Sequence, residues 1–320
     1  MPSAKSQIPS TDEQWQAAVA DAGIENMSLQ DLNLVSGSRV NKAQFLLMHI
    51  LCKLNEPEEF DPTQWGLERF ADAQAILQDT PEFQRYLKSV QDDALTTTRS
   101  PDDPFPLGIF EIPRCHQRYV QQIGTRTNLK LSSVHSDRKE AWDAVPTSDE
   151  IVVTFAAIDY LHAVCLKNPG VYSQWTASCY SFQALGEEGF QARTDGVLHL
   201  HEEPEKVYAL LECKARWRED ALPQVQYQEA AQIVAWILQK NHPETAMPGR
   251  IFLISHNRNE ITLTFGTLDR HYRNFLLGKT HASRFLTLYE YGPFLLDNAS
   301  YMEQMACIVL AFVLGVGKGR

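Results

Sequence analysis

The stretch Val207 to Ala215 reads Val-Tyr-Ala-Leu-Leu-Glu-Cys-Lys-Ala, so a glutamate and a lysine stand two positions apart inside an apolar, strand-like run. Side chains alternate along a strand, which puts Glu212 and Lys214 on one face with Leu210 behind them. Charges rarely enter such a strand unless they are paired or bound to a metal. Asp195 lies in the preceding strand-like run, and a hairpin turning near Glu202 to Glu205 brings it alongside Glu212. Asp195, Glu212 and the backbone carbonyl of Cys213 are then hard oxygen ligands of the kind magnesium prefers, with positions left for water and phosphate. Lys214 would orient or activate an attacking water and offset charge in the transition state. The chemistry that wants this set is phosphodiester hydrolysis.

Several other residues have rival readings. Asp137-Arg138-Lys139 has the same triplet but sits in a polar stretch with no strand around it. His199 and His201 form a His-x-His pair, which suits zinc, but they approach a turn beside Glu202 and Glu203 where solvated polar residues are ordinary. The Cys213 side chain faces away from Glu212 and Lys214 and reads as a core thiol rather than a nucleophile. Arg193, Arg216 and Arg218 are candidate phosphate contacts, and Trp217 is a candidate base-stacking residue; Ala215-Arg-Trp-Arg-Glu-Asp220 also reads as an ordinary charged loop between strand and helix.

The elements that must position these residues follow from periodicity. Asp12 to Ala22, Arg39 to Leu54, Leu67 to Leu77 and Pro81 to Val90 read as helices, and Thr96 to Leu107, with three prolines, reads as a linker. An irregular region then runs through Val145. Thr147 and Glu150 stand in capping-box spacing ahead of a helix ending near Asn168-Pro169-Gly170. Three strands are expected over Tyr172 to Gln183, Phe190 to Leu200 and Val207 to Ala215, followed by a helix over Pro223 to Gln239. Two short strands, Arg250 to Ser255 and Ile261 to Phe265, precede closing helices, and the apolar run Met305 to Gly317 reads as a buried helix too short to span a membrane. The class is mixed α/β, with a strand-helix-strand unit able to return the chain parallel to its start. Three regions are expected: an arm over 1–13, a helical N-terminal region over 14–110 and a core over 111–320.

Asp195-Gly196 followed by Glu212-Cys213-Lys214 resembles the PD-(D/E)XK nuclease superfamily, and the wider run from Glu140 onward resembles its fungal nuclease-like branch. The resemblance implies a restriction-endonuclease-like core, a central mixed sheet flanked by helices, with magnesium or manganese as cofactor and nucleic acid as substrate. It also implies a glutamine-bearing helix after the Glu-x-Lys strand. Gln224 to Ile237 is similar to it, and Gln228 or Gln232 would face the metal site. Glu140-Ala-Trp142-Asp143 is similar to the acid-x-Trp approach to the first core helix, which makes Glu140 a candidate third acidic ligand.

Composition bounds the alternatives. The formal net charge of −11 works against indiscriminate binding to nucleic acid, so any such site must be local. Six cysteines without a CxxC spacing suit a reducing compartment, and Met1 to Glu13 lacks the hydrophobic segment of a secretory signal, so an intracellular protein with no membrane span is expected. Two further functions are compatible with the residues: a catalytically silent module that keeps the fold for binding or assembly, and the same pocket turned to small-molecule chemistry.

Overall fold

Helical and strand periods alternate along the chain, and the computed structural model resolves them into nineteen elements over residues 8–92, 105–123, 147–239 (without 167 and 169), 249–280 and 285–316. They are α1 (Asp12–Ala22), α2 (Lys42–Leu47), β1 (Ile50–Asn55), α3 (Phe70–Gln78), α4 (Pro81–Gln91), α5 (Glu111–Gln121), α6 (Thr147–Cys165), β2 (Ser173–Thr176), β3 (Tyr180–Ala184) and β4 (Phe190–Thr194). They continue with β5 (Gly196–Leu200), β6 (Glu203–Lys214), α7 (Arg218–Ala221), α8 (Gln224–Ile237), β7 (Arg250–Asn257), β8 (Glu260–Thr267), α9 (Arg270–Leu276), β9 (Leu286–Leu295) and α10 (Ala299–Gly315).

Seven strands form one mixed sheet in the order β1-β9-β8-β7-β6-β5-β2, parallel at β1/β9 and β6/β7 and antiparallel elsewhere. The mixed α/β class with helices on both faces is thus observed, and α8 is the crossover that returns β7 parallel to β6. One face packs against α3, α4, α6 and α10, where Leu211 and Cys213 of β6 meet residues such as Leu161 and Val309. The other packs against α2, α8 and the separate β3–β4 hairpin, where Leu210 meets residues such as Ile233 and Phe45. Alternation along β6 therefore sends odd positions from 209 to 213 toward α6 and even positions from 210 to 214 toward α8.

Several expected elements divide differently. The helix expected over Arg39 to Leu54 stops at Leu47, and the chain turns at His49 with φ 53° to enter β1. An apolar run this uniform carries no period to separate helix from strand, and the free edge of β9 decides it. The helical region expected over 14–110 therefore contributes a strand to the central sheet. Ile8 is buried in the second core, and the Pro9 carbonyl accepts from the Cys52 amide at 3.0 Å, so the expected arm is anchored from residue 8 onward. Helix α5 occupies part of the region read as irregular, with Pro113 in its first turn where no intrahelical amide is needed. Two of the long expected strands each split in two, β2 with β3 and β4 with β5, because the chain changes sheets between them. Strand β9 lies where closing helices were expected. Among the described residues no helix is long and apolar enough to cross a membrane; α10 is apolar because it is buried on both sides.

Candidate functional site

Asp195 sits at the break where the chain leaves β4 for β5. A Cβ at Gly196 would lie 2.6 Å from the Thr176 carbonyl oxygen, so only glycine lets β5 pass this close to β2. Pairing of Gly196 with Leu211, together with the Asp195 amide donating to the Leu211 carbonyl at 3.0 Å, puts Asp195 beside Glu212. Its Oδ2 accepts from the Cys213 amide at 2.8 Å.

Glu212 and Lys214 emerge together toward α8, as the alternation requires. Glu212 is 1% exposed. Its Oε1 accepts from Lys214 Nζ at 2.5 Å and from Gln228 Nε2 at 2.6 Å, and its Oε2 accepts from Gln232 Nε2 at 2.6 Å. Gln228 and Gln232 stand one helical turn apart, so both reach the same carboxylate. The resemblance offered one or the other; both are present. Gln232 Nε2 also donates to the Arg193 carbonyl at 2.6 Å. Lys214 Nζ donates to the Cys213 carbonyl at 3.2 Å and to Glu150 Oε1 at 2.9 Å.

Burial governs the electrostatics. It pushes the Glu212 carboxyl up to about 8, helped by the Asp195 charge and opposed by Lys214 and the Gln232 amide. Burial raises Asp195 as well, against Lys214 and the Cys213 amide. For Lys214 burial acts downward, but Glu212, Asp195 and Glu150 outweigh it and hold the ammonium above its ordinary value. With these carboxylates around it Lys214 is an ammonium, the form that orients water and offsets charge.

Glu150 entered the sequence reading only as a capping residue. Its side chain instead turns from the first turn of α6 to Lys214, making it a third carboxylate at the cluster. Its one sequence signal was a position at the start of the helix that packs on β6. Glu140 lies outside the described residues, as does Asp137-Arg138-Lys139.

The remaining candidates separate cleanly. Cys213 points into the α6 layer, fully buried, and burial raises its thiol far above the ordinary range, so it is a core residue. His199 Nδ1 is 2.9 Å from the Leu200 carbonyl and its Nε2 faces the Gln174 amide, while a bulge between Leu198 and Leu200 breaks the alternation that would have aligned it with His201. The zinc pair is not assembled. Trp217 is half-buried with the Arg258 guanidinium 4.8 Å from its ring centre, and the Arg193 side chain is exposed.

Arg218 is not a free phosphate contact. It is buried and bidentate to Glu229, with Nη1 and Nη2 each 2.7 Å from a carboxylate oxygen, and Nη2 also donates to Glu290 Oε2 at 2.7 Å. Nη1 donates to Ser255 Oγ at 3.1 Å, and Gln226 Nε2 donates to Glu290 Oε1 at 2.7 Å.

No family model, curated protein or solved structure matches the chain. Among the described residues no three His, Cys, Asp or Glu side chains converge as a metal-holding group by themselves, so a cation here would have to draw on the Cys213 carbonyl and water in addition to Asp195 and Glu212. That donor set is all hard oxygen, and one Asp195 oxygen has no partner among the described residues, which suits a small divalent cation. A hollow of about 690 Å³ lies at the far end of α8, lined by residues including Tyr180, Phe182, Val207 and Trp236, and it contains none of the cluster's acids.

Proposed function

We propose that the chain is a metal-dependent phosphodiesterase acting on nucleic acid through Asp195, Glu212 and Lys214, built on a restriction-endonuclease-like core. The observation that carries this reading is the convergence itself. An aspartate, a buried glutamate and a lysine meet at the end of a central strand, where burying charge carries a cost and the acids offer hard oxygen ligands. The succession of α6, antiparallel β2, β5 and β6, helix α8 and parallel β7 supports the same reading, as do the two glutamines on α8.

Asp195, Glu212 and the Cys213 carbonyl would hold magnesium or manganese, which when bound supplies Lewis acidity toward phosphate oxygens and water. The chain's own residues do the rest. Gln228 and Gln232 fix the Glu212 carboxylate in one orientation through its two oxygens. Lys214, held as an ammonium, places positive charge where negative charge develops on a phosphate. Glu150 restrains Lys214 from the solvent side.

A second reading, a silent binding module, is favoured by one feature: three donors already engage Glu212, and it is almost wholly buried. Incubation of the chain with mixed single- and double-stranded DNA and RNA in manganese separates the two. The nuclease reading expects cleavage that Asp195→Asn abolishes. No cleavage by the unmodified chain would favour the silent module, and cleavage that needs no manganese would contradict the metal-dependent reading.

A further inference from the structure

Helix α8 touches the sheet through two polar patches. Gln228 and Gln232 hold Glu212; Gln226 and Glu229, on the adjoining part of the helix surface, meet Glu290 and Arg218. At about 100° per residue these four side chains cover one broad stripe, so a small rotation or slide of the helix would shift both patches together. Apolar packing holds the start of α8 in the core, with Val225 buried and Tyr227 against Phe45 at 4.8 Å between ring centres, but such contacts are not directional. The helix N-cap is Pro223, which offers no side-chain cap, and the nearest anchor is Gln224 Nε2 on the Val40 carbonyl at 3.0 Å.

Arg218 adds a directional constraint to that packing. It opens the short α7 in the connection between β6 and α8, four residues beyond Lys214, and its planar fork fixes Glu229 in both distance and orientation. The same guanidinium reaches Glu290 on β9 and Ser255 on β7, and Ser255 is the residue paired with Glu212 across the β6/β7 ladder. The Ser255 hydroxyl donates to Glu229 Oε1 at 2.5 Å. One cation thus joins this connection, the helix and two strands beside the Glu212 carboxylate. Two buried carboxylates and an arginine are an expensive way to fill a core, since apolar residues of similar volume are often as stable or more so. What the apolar set lacks is directional bonding.

We propose that Arg218 is a positioning residue: through Glu229 and Glu290 it sets the rotation and height of α8, so that Gln228 and Gln232 reach Glu212. The inference rests on the proposed function for what a positioned Glu212 is used for, but not for the positioning.

The test is side-chain amide proton exchange by nuclear magnetic resonance on the full chain carrying 15N-glutamine, without metal. Arg218→Met/Glu229→Leu/Glu290→Met removes the ionic cluster without leaving an unpaired buried charge, and Arg218→Lys keeps the charge without the fork. With the fold retained, exchange at Gln228 and Gln232 is expected to accelerate by about tenfold or more in the triple variant and by less in Arg218→Lys. Gln117 on α5, whose amide is held by the Tyr86 hydroxyl on the other face of the sheet, serves as the unmoved reference. Unchanged exchange at Gln228 and Gln232 in a folded triple variant would overturn the proposal and leave Arg218 a strut. Should the triple variant not fold, unchanged exchange in Arg218→Lys would do the same. Failure of the nuclease reading shows up separately, as an unmodified chain that binds no manganese while its glutamine amides remain protected.

Discussion

Two charged clusters lie under one helix, and they differ in how completely their groups are matched. Around Arg218, both carboxylates are held by the guanidinium, a serine and a glutamine, all inside the core. Around Glu212, three carboxylates share one ammonium, burial raises the two acids of the β5–β6 pair, and Lys214 and Glu150 extend toward solvent. In the first cluster every carboxylate oxygen already accepts a hydrogen bond, although two carboxylates share one cation there as well. In the second, one Asp195 oxygen has no partner among the described residues and the cluster opens toward solvent at Lys214 and Glu150, so its excess negative charge is accessible to a cation. The contrast separates a strut from a candidate active site without reference to any motif.

The largest expected effect is on the strut. Arg218→Ala leaves Glu229 and Glu290 buried without their cation, and a loss of about 3–5 kcal/mol is expected in chemical unfolding. A loss below about 1 kcal/mol would mean that water enters the cluster easily, and the contrast between the two regions would weaken. At the other cluster, Lys214→Met is expected to leave the fold in place while lowering manganese-dependent cleavage by about 10²–10³-fold, the usual effect of removing one transition-state donor.

The two regions should also differ in their response to pH. Folded Glu212 keeps a proton at pH values where the unfolded chain has lost it, so its contribution to stability is fully present below about 4.5 and is lost as pH rises through about 8. Lys214, whose value is raised, holds its contribution throughout that window and loses it only above the ordinary lysine range. Glu212→Gln should therefore gain on the unmodified chain between pH 5 and 9, by on the order of 1–2 kcal/mol, read from thermal or denaturant unfolding. A gap that does not change with pH would show that Glu212 is not held in the raised state. The smallest effects belong to the glutamines. Gln232→Ala should cost about 1–2 kcal/mol and Gln228→Ala about 1 or less, since Gln232 is fully buried and bridges two acceptors whereas Gln228 serves one and is half-buried.

The cluster at Glu212 was legible in the sequence because it depends on two local rules. Strand alternation puts Glu212 and Lys214 on one face, and a short hairpin brings Asp195 back beside them. The turn of Cys213 into the opposite layer follows from the same alternation. What was not legible depended on distant partners. Arg218 sits in Ala-Arg-Trp-Arg-Glu-Asp, which has the composition of a solvated loop; only Glu229 and Glu290, the second of them far along the chain, make its burial possible. Glu150 has no local sign that its carboxylate will cross to Lys214. Strand β1 hid in a largely apolar run and β9 contains Gly292-Pro293 in its interior, so neither shows a clean period, while α5 turns Arg114 and Gln117 inward, polar types that give no local sign of a core face.

The most direct test of the central claim is calorimetric titration of manganese into the chain near pH 8.5, where the Glu212 carboxyl is largely ionised, repeated on Asp195→Asn and on Glu212→Gln. The account predicts binding to the unmodified chain that weakens as pH falls below about 8, with proton release, and that is lost in both variants. No binding to the unmodified chain, or binding equally strong in both variants, would contradict it.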